Sequence, residues 1–237
     1  MYLSTHIKSS IDIIKSHTIV LFITAIVTGI NILNLLLSYL KHNSWLNIPA
    51  MIITFLTTLV MYGLYYEIIE DKYTSMREIF SKYVYGYFIV SLVMALPLMV
   101  SSFLLSLTTF ENTSQLTLKF ISLLVLVMFM YVDPFFFHTN KVIISFKYGI
   151  DFFVRNIKES LSLIAAVILL FVFNSILSIK LISLVSVNIF VYALVQYIFL
   201  FSFFIIDYAL FIVLVLAIKE QHKMVWLPLW SAILIKE

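Results

Sequence analysis

The chain has 237 residues, of which 63% are hydrophobic and 11% charged, with a mean hydropathy of +1.10. A soluble domain of this length would need far more surface charge, and a membrane β-barrel would show short alternating strands, which are absent. With no cysteine, disulfides, thiolate zinc sites and a cysteine nucleophile are excluded. The net charge of +3 is small, so the placement of the charges carries the information. The apolar residues fall in blocks long enough to cross a bilayer, which predicts an all-α polytopic membrane bundle.

The chain opens on an amphipathic segment in which Ile7, Ile11 and Ile14 recur at helical spacing beside Lys8 and Lys15. A first span follows over 18–40. Its apolar run is too long for a cleaved signal peptide, so it is expected to remain as a membrane helix. The second span covers 45–69 and carries Glu67 near its end. A second amphipathic lead-in (Met76, Ile79, Phe80, Tyr83) enters a third span over 83–107 that contains Pro97. The fourth span, over 118–132, is the shortest.

Span four ends in "FMYVDPFFFHTN". Aspartate is a good N-cap and proline is tolerated in a first helical turn. Asp133 and Pro134 are therefore expected to close the span and start a new helix over 134–149. A third lead-in (Phe146, Ile150, Phe153, Ile157) enters span five over 161–177. Span six, over 187–218, is too long for one perpendicular crossing and must tilt or project into water. The tail, 219–237, places Trp226 and Trp230 beside Pro228, as expected of a segment lying along the interface.

Lysine and arginine set the orientation. Twelve fall on one side: Lys8, Lys15, Lys72, Arg77, Lys82, Lys141, Lys147, Arg155, Lys158, Lys219, Lys223 and Lys236. Lys41, Lys119 and Lys180 make three on the other. Both termini are thus expected in the cytoplasm of a plasma membrane protein, with short outer loops. Asn112-Thr113-Ser114 in one of them is a formal glycosylation sequon, a weak pattern.

Three stretches of the chain run in parallel. Each has an amphipathic lead-in, then a lysine (Lys15, Lys82, Lys158), then a span and a returning span with an acid (Glu67, Asp133, Asp207). Lysine and acid are 52, 51 and 49 residues apart in the three. This predicts one integral membrane domain of three tandem helical hairpins, units of about 1–71, 72–140 and 141–218, each led by an amphipathic interfacial helix. The lead-ins read as juxtamembrane elbows with basic residues near anionic head groups; the sharper alternative is a docking platform for a cytoplasmic protein.

The three acids are the first candidate site. If the units pack around one axis, Glu67, Asp133 and Asp207 would converge as a cation or proton site, with Asp207, flanked by apolar residues, the strongest single candidate. The plainer reading pairs each acid with a lead-in base such as Lys15, Lys82, Arg155 or Lys158. Asn31, Asn34, Asn174 and Gln196 form a second polar set inside the spans. They read as interhelical hydrogen-bond partners, or otherwise as the lining of a polar path opened by a kink at Pro97.

No histidine pair has metal-ligand spacing, and no nucleotide-binding or hydrolase motif is present. The expectation is a non-enzymatic chain without catalytic residues, cofactor, metal or nucleic acid, with membrane lipids as partners. An ATP-driven process would need a separate ATPase.

The stretches "KYTSMREIFSKYVYGYFIVSLVM" and "FMYVDPFFFHTNKVIISFKYGIDFFVRNIKESLSLIAA" resemble a broad group of prokaryotic six-span membrane proteins. That group includes the YciC-like proteins and the membrane domain attached to some glycerophosphodiester phosphodiesterases. The resemblance covers about residues 70–170 and rests on pattern. It implies a six-span fold and no catalytic residues; no soluble phosphodiesterase domain is present, and the group's outer-loop glycines and prolines are sparse here. Richness in Ile, Phe, Lys and Asn suggests a low-GC bacterium. Two functions follow as expectations: an accessory or scaffold role in the cell envelope, or the permease subunit of an ATP-driven exporter of lipids or peptides.

Overall fold

A computed structural model describes residues 3–39, 47–72, 74–106, 111–185 and 189–225. The described residues form nine helices and no strand: α1 (Leu3–Ser16), α2 (Thr18–Tyr39), α3 (Asn47–Ile69), α4 (Met76–Ser106), α5 (Glu111–Met128), α6 (Val132–Thr139), α7 (Val142–Arg155), α8 (Ile157–Val185) and α9 (Ile189–Val225). Four of them, α2, α3, α4 and α9, are long and apolar enough to cross a membrane. The number rises to six if the bent pairs α5–α6 and α7–α8 each count as one span. The chain is an all-α multi-pass membrane protein.

Local chemistry fixes where these helices begin and end. α4 starts on a reciprocal cap: the Ser75 backbone N–H donates to Glu78 Oε2 at 3.0 Å and the Glu78 N–H to Ser75 Oγ at 3.3 Å. Two otherwise unpaired donors of the first turn are thereby satisfied. From this start α4 runs unbroken through Pro97. The expectation of a separate interfacial helix is corrected here: the second lead-in forms the first turns of a continuous 31-residue helix.

Span four ends earlier than its apolar run. α5 stops at Met128 and α6 starts at Val132, with a bend of 41° between them. Pro134 has no N–H to donate and its ring would crowd the carbonyl of Met130, so a continuous helix is disfavoured here. Asp133 is not the N-cap. Tyr131 holds that position without a side-chain cap bond, and Asp133 sits in the first turn, where a negative charge meets the positive end of the helix. Nor does the new helix run on to 149. Asn140 adopts the left-handed conformation (φ 52°) and its N–H bonds Phe136 O at 2.7 Å, ending α6.

α7 then folds back on α6, which Gly149 permits: a Cβ there would lie 3.0 Å from the backbone of Val132. α7 and α8 meet at 102°, so α7 forms an amphipathic elbow before its span.

The hairpins α2–α3, α4–α5 and α8–α9 pack as consecutive pairs, but they are not equivalent around an axis. α9 packs against α1, α2, α3, α6 and α8. Its stretch from Phe211 to Val215 is fully buried. The main core joins α9 to Tyr62, Tyr65, Tyr83, Phe136 and Phe137, with Tyr62 stacked on Phe211 at 4.1 Å between centroids. Lys41, His42, Trp45, Trp226, Trp230 and Lys236 lie outside the described residues, as do the side chains of the sequon at Asn112, whose backbone belongs to the first turn of α5 rather than to a loop.

Candidate functional site

The polar groups of the spans fall into three places. The first is at the end of α3. Glu67, 3% exposed, accepts from Lys82 Nζ at 2.8 Å and from Tyr83 Oη at 2.8 Å. The Ser75–Glu78 cap sets the register of α4 that brings both donors to the carboxylate. Lys219 of α9 reaches the same end of the bundle, donating to Ile69 O at 2.6 Å and pairing with Glu70 at 3.4 Å. Nearby, Tyr66 Oη and His138 Nδ1 are 3.0 Å apart, joining α3 to α6.

The second place lies deeper. Asp207 is 12 residues before Lys219, about 18 Å along α9. It accepts from Tyr62 Oη at 2.7 Å. Asp207 and Asp133 line one cavity of about 60 Å³ together with Tyr62, Pro134 and Phe211. Among the described residues no lysine or arginine pairs with either carboxylate, and Asp133 makes no hydrogen bond. The three acids therefore do not converge. Asp133 and Asp207 share a cavity, while Glu67 belongs to the lysine-bearing end.

The expected bases divide accordingly. Lys82 holds Glu67. Arg155 pairs with Asp151 one turn before it at 2.8 Å rather than with an intramembrane acid. Lys15 and Lys158 are exposed and make no ion pair among the described residues.

The amides form the third set. Asn31 Nδ2 donates to Thr54 Oγ1 at 2.9 Å, and Thr54 returns a bond to Asn31 Oδ1 at 3.3 Å, tying α2 to α3. Asn34 Nδ2 donates to Asn47 Oδ1 at 2.8 Å, at the other end of the same hairpin. Gln196 Oε1 is buried with no partner among the described residues. The side chain of Asn174 lies outside the described residues. These contacts do not assemble into a path along the bundle: each pair joins two neighbouring helices.

Several tyrosines complete the arrangement; of these only Tyr83 was singled out in the sequence, and as an apolar lead-in residue, not as a hydrogen-bond donor. Tyr62 holds Asp207, Tyr83 holds Glu67, Tyr131 Oη meets Ser160 Oγ at 2.8 Å, and Tyr197 Oη donates to Ala25 O at 3.1 Å. The available signal was local. "MYGLYYE" places Tyr62 and Tyr66 one turn apart just before Glu67, and a buried tyrosine hydroxyl needs a partner. No group of three or more metal-ligating side chains occurs among the described residues. Comparison with known proteins finds no match to this chain, whether among family models, curated proteins or solved structures.

Proposed function

We propose that this chain is a non-enzymatic, multi-pass accessory or scaffold protein of a bacterial plasma membrane, with both termini in the cytoplasm. The observation that carries this reading is the use made of polar groups in the spans. Glu67–Lys82, Asn31–Thr54, Tyr131–Ser160 and Tyr197–Ala25 each tie one helix to another. Such ties fix a bundle's shape. The orientation rests on the lysine and arginine distribution, and the likeness to YciC-like proteins on sequence pattern.

A second reading, a permease subunit working with a separate ATPase, is favoured by one feature. Asp133 and Asp207 face a common cavity without a basic partner. Two carboxylates in a low-dielectric site repel, so a proton or small cation between them would lower the energy.

Asp133→Asn and Asp207→Asn separate the two readings. Each is introduced into a strain lacking the protein, and rescue of envelope integrity is scored against the amount of folded protein. The accessory reading predicts rescue in proportion to that amount. Well-folded variants that fail to rescue would contradict it and turn attention to the permease reading.

A further inference from the structure

A large apolar recess among the described residues lies on another side of Leu210 from the cavity of the acids, and no acid lines it. It holds about 540 Å³ between α1, α8 and α9, with Ile11, Ile14, Leu163, Ala166, Ile205 and Ala209 among its walls. Only two polar residues line it, Ser10 and Lys15. The Ser10 hydroxyl is already used, donating to Ile7 O at 2.8 Å. Lys15 is exposed and makes no ion pair among the described residues.

The dimensions and the charge identify an occupant. The recess follows α9 from Phe201 to Val213, about 18 Å at 1.5 Å per residue. One leaflet of a bilayer's hydrocarbon core is about 15 Å deep. α1 lies across one end: His6, near its start, bonds Glu220 near the end of α9 at 2.8 Å, and α2 begins two residues after Ser16. Lys15 thus stands where α1 turns into the first span, the place at which a basic side chain meets head groups. Lys8, two helical turns earlier on the same side of α1, is also exposed; Asp12, at neighbouring spacing between the two lysines, is exposed as well and forms no ion pair with either among the described residues, so the local charge stays positive. An apolar trough one leaflet deep, with an unpaired ammonium at its mouth, is complementary to an acyl chain that ends in a phosphate.

We infer that this recess binds one molecule of an anionic glycerophospholipid, its acyl chain lying between α8 and α9 and its phosphate on Lys15. This does not depend on the accessory reading above. The bound lipid would fill space between α1 and the bundle and so hold the interfacial helix at its working angle.

The test uses the full chain in nanodiscs containing either phosphatidylglycerol or phosphatidylcholine with a photoactivatable acyl chain. Labelled residues are mapped by mass spectrometry. The inference predicts labelling on α1, α8 and α9 along the recess by phosphatidylglycerol in preference to phosphatidylcholine. Lys15→Glu, a surface change, should lower phosphatidylglycerol labelling about fivefold. Lys141→Glu, the same charge change between α6 and α7, should leave it unchanged. Ala166→Trp should block labelling by both lipids. Equal labelling by both lipids in the native chain, undiminished labelling of Lys15→Glu, or cross-linking of the recess to a second copy of the chain would each overturn the inference.

Discussion

Glu67 illustrates how one buried charge organises its surroundings. Its carboxylate is nearly inaccessible, while Lys82 stays 43% exposed, so the lysine keeps its hydration and the acid receives two donors. Removing one partner of a buried pair costs several kcal/mol because the other charge is stranded. Here Tyr83 would still donate and Lys82 is half in solvent, so Lys82→Ala should destabilise by about 1–3 kcal/mol. Combined with Glu67→Gln, it should cost less than the sum of the single changes, with a coupling of about 1–2 kcal/mol. Thermal unfolding in one detergent measures all the variants. Lys158→Ala should stay within about 0.5 kcal/mol. The sequence made the three lysines look alike, because spacing along a chain counts residues and says nothing of rotation about a helix. Lys82 reaches Glu67, the acid of the preceding unit and not Asp133 of its own, because α3 and α4 are joined by a short turn; between Asp133 and Lys158 the chain instead runs through the rest of α6 and all of α7.

At the level of elements, the corner between α6 and α7 decides the shape of the middle of the chain. Pro134 stops α5, Asn140 ends α6 in a left-handed conformation, and Gly149 lets α7 close on Val132. Gly149→Val would drive a branched side chain into backbone that cannot move without parting the two helices. It should cost about 1–3 kcal/mol or more. Gly29→Ala in α2 is the matching contrast. The added Cβ would meet nothing nearer than a ring atom of Tyr197 at 4.0 Å, and alanine is the better helix former by about 1 kcal/mol. Melting temperatures should therefore fall for the first and hold or rise for the second. Proline 134 was legible as a break in the sequence. The second break at Asn140 was fainter, because "HTNKV" has no residue that forbids a helix; its one signal is that asparagine, after glycine, is the residue that takes the left-handed cap. The cap at Ser75–Glu78 was present as Ser-x-x-Glu in "SMRE", and it shows why the second lead-in merges with its span.

Over the whole molecule, composition and hydropathy were enough for an all-α membrane bundle, since long apolar blocks have few other solutions. The arrangement of the hairpins was not legible. A tandem pattern suggests equivalent units around an axis, yet α9 packs against α1, α2, α3, α6 and α8 and its second half is buried among them, while Phe190, Leu194 and Ile198 of its first half are exposed. Its sequence is apolar on every face, which is how a central helix reads, but a lipid-surrounded span reads the same way. The acids follow from this asymmetry. A central α9 carries Asp207 inward to Tyr62 and to the cavity shared with Asp133, while Glu67 stays at the end of α3.

On the proposed reading this bundle is a structural component and not the permease subunit of an ATP-driven exporter. That reading is tested most directly by isolating the tagged full chain from its host in a mild detergent and quantifying what accompanies it by mass spectrometry. A known transporter complex isolated in parallel shows that the conditions preserve such assemblies. The expected result is recovery with lipid and without a stoichiometric nucleotide-binding subunit. Stoichiometric recovery of an ATPase would contradict it and make the Asp133–Asp207 cavity part of a transport path.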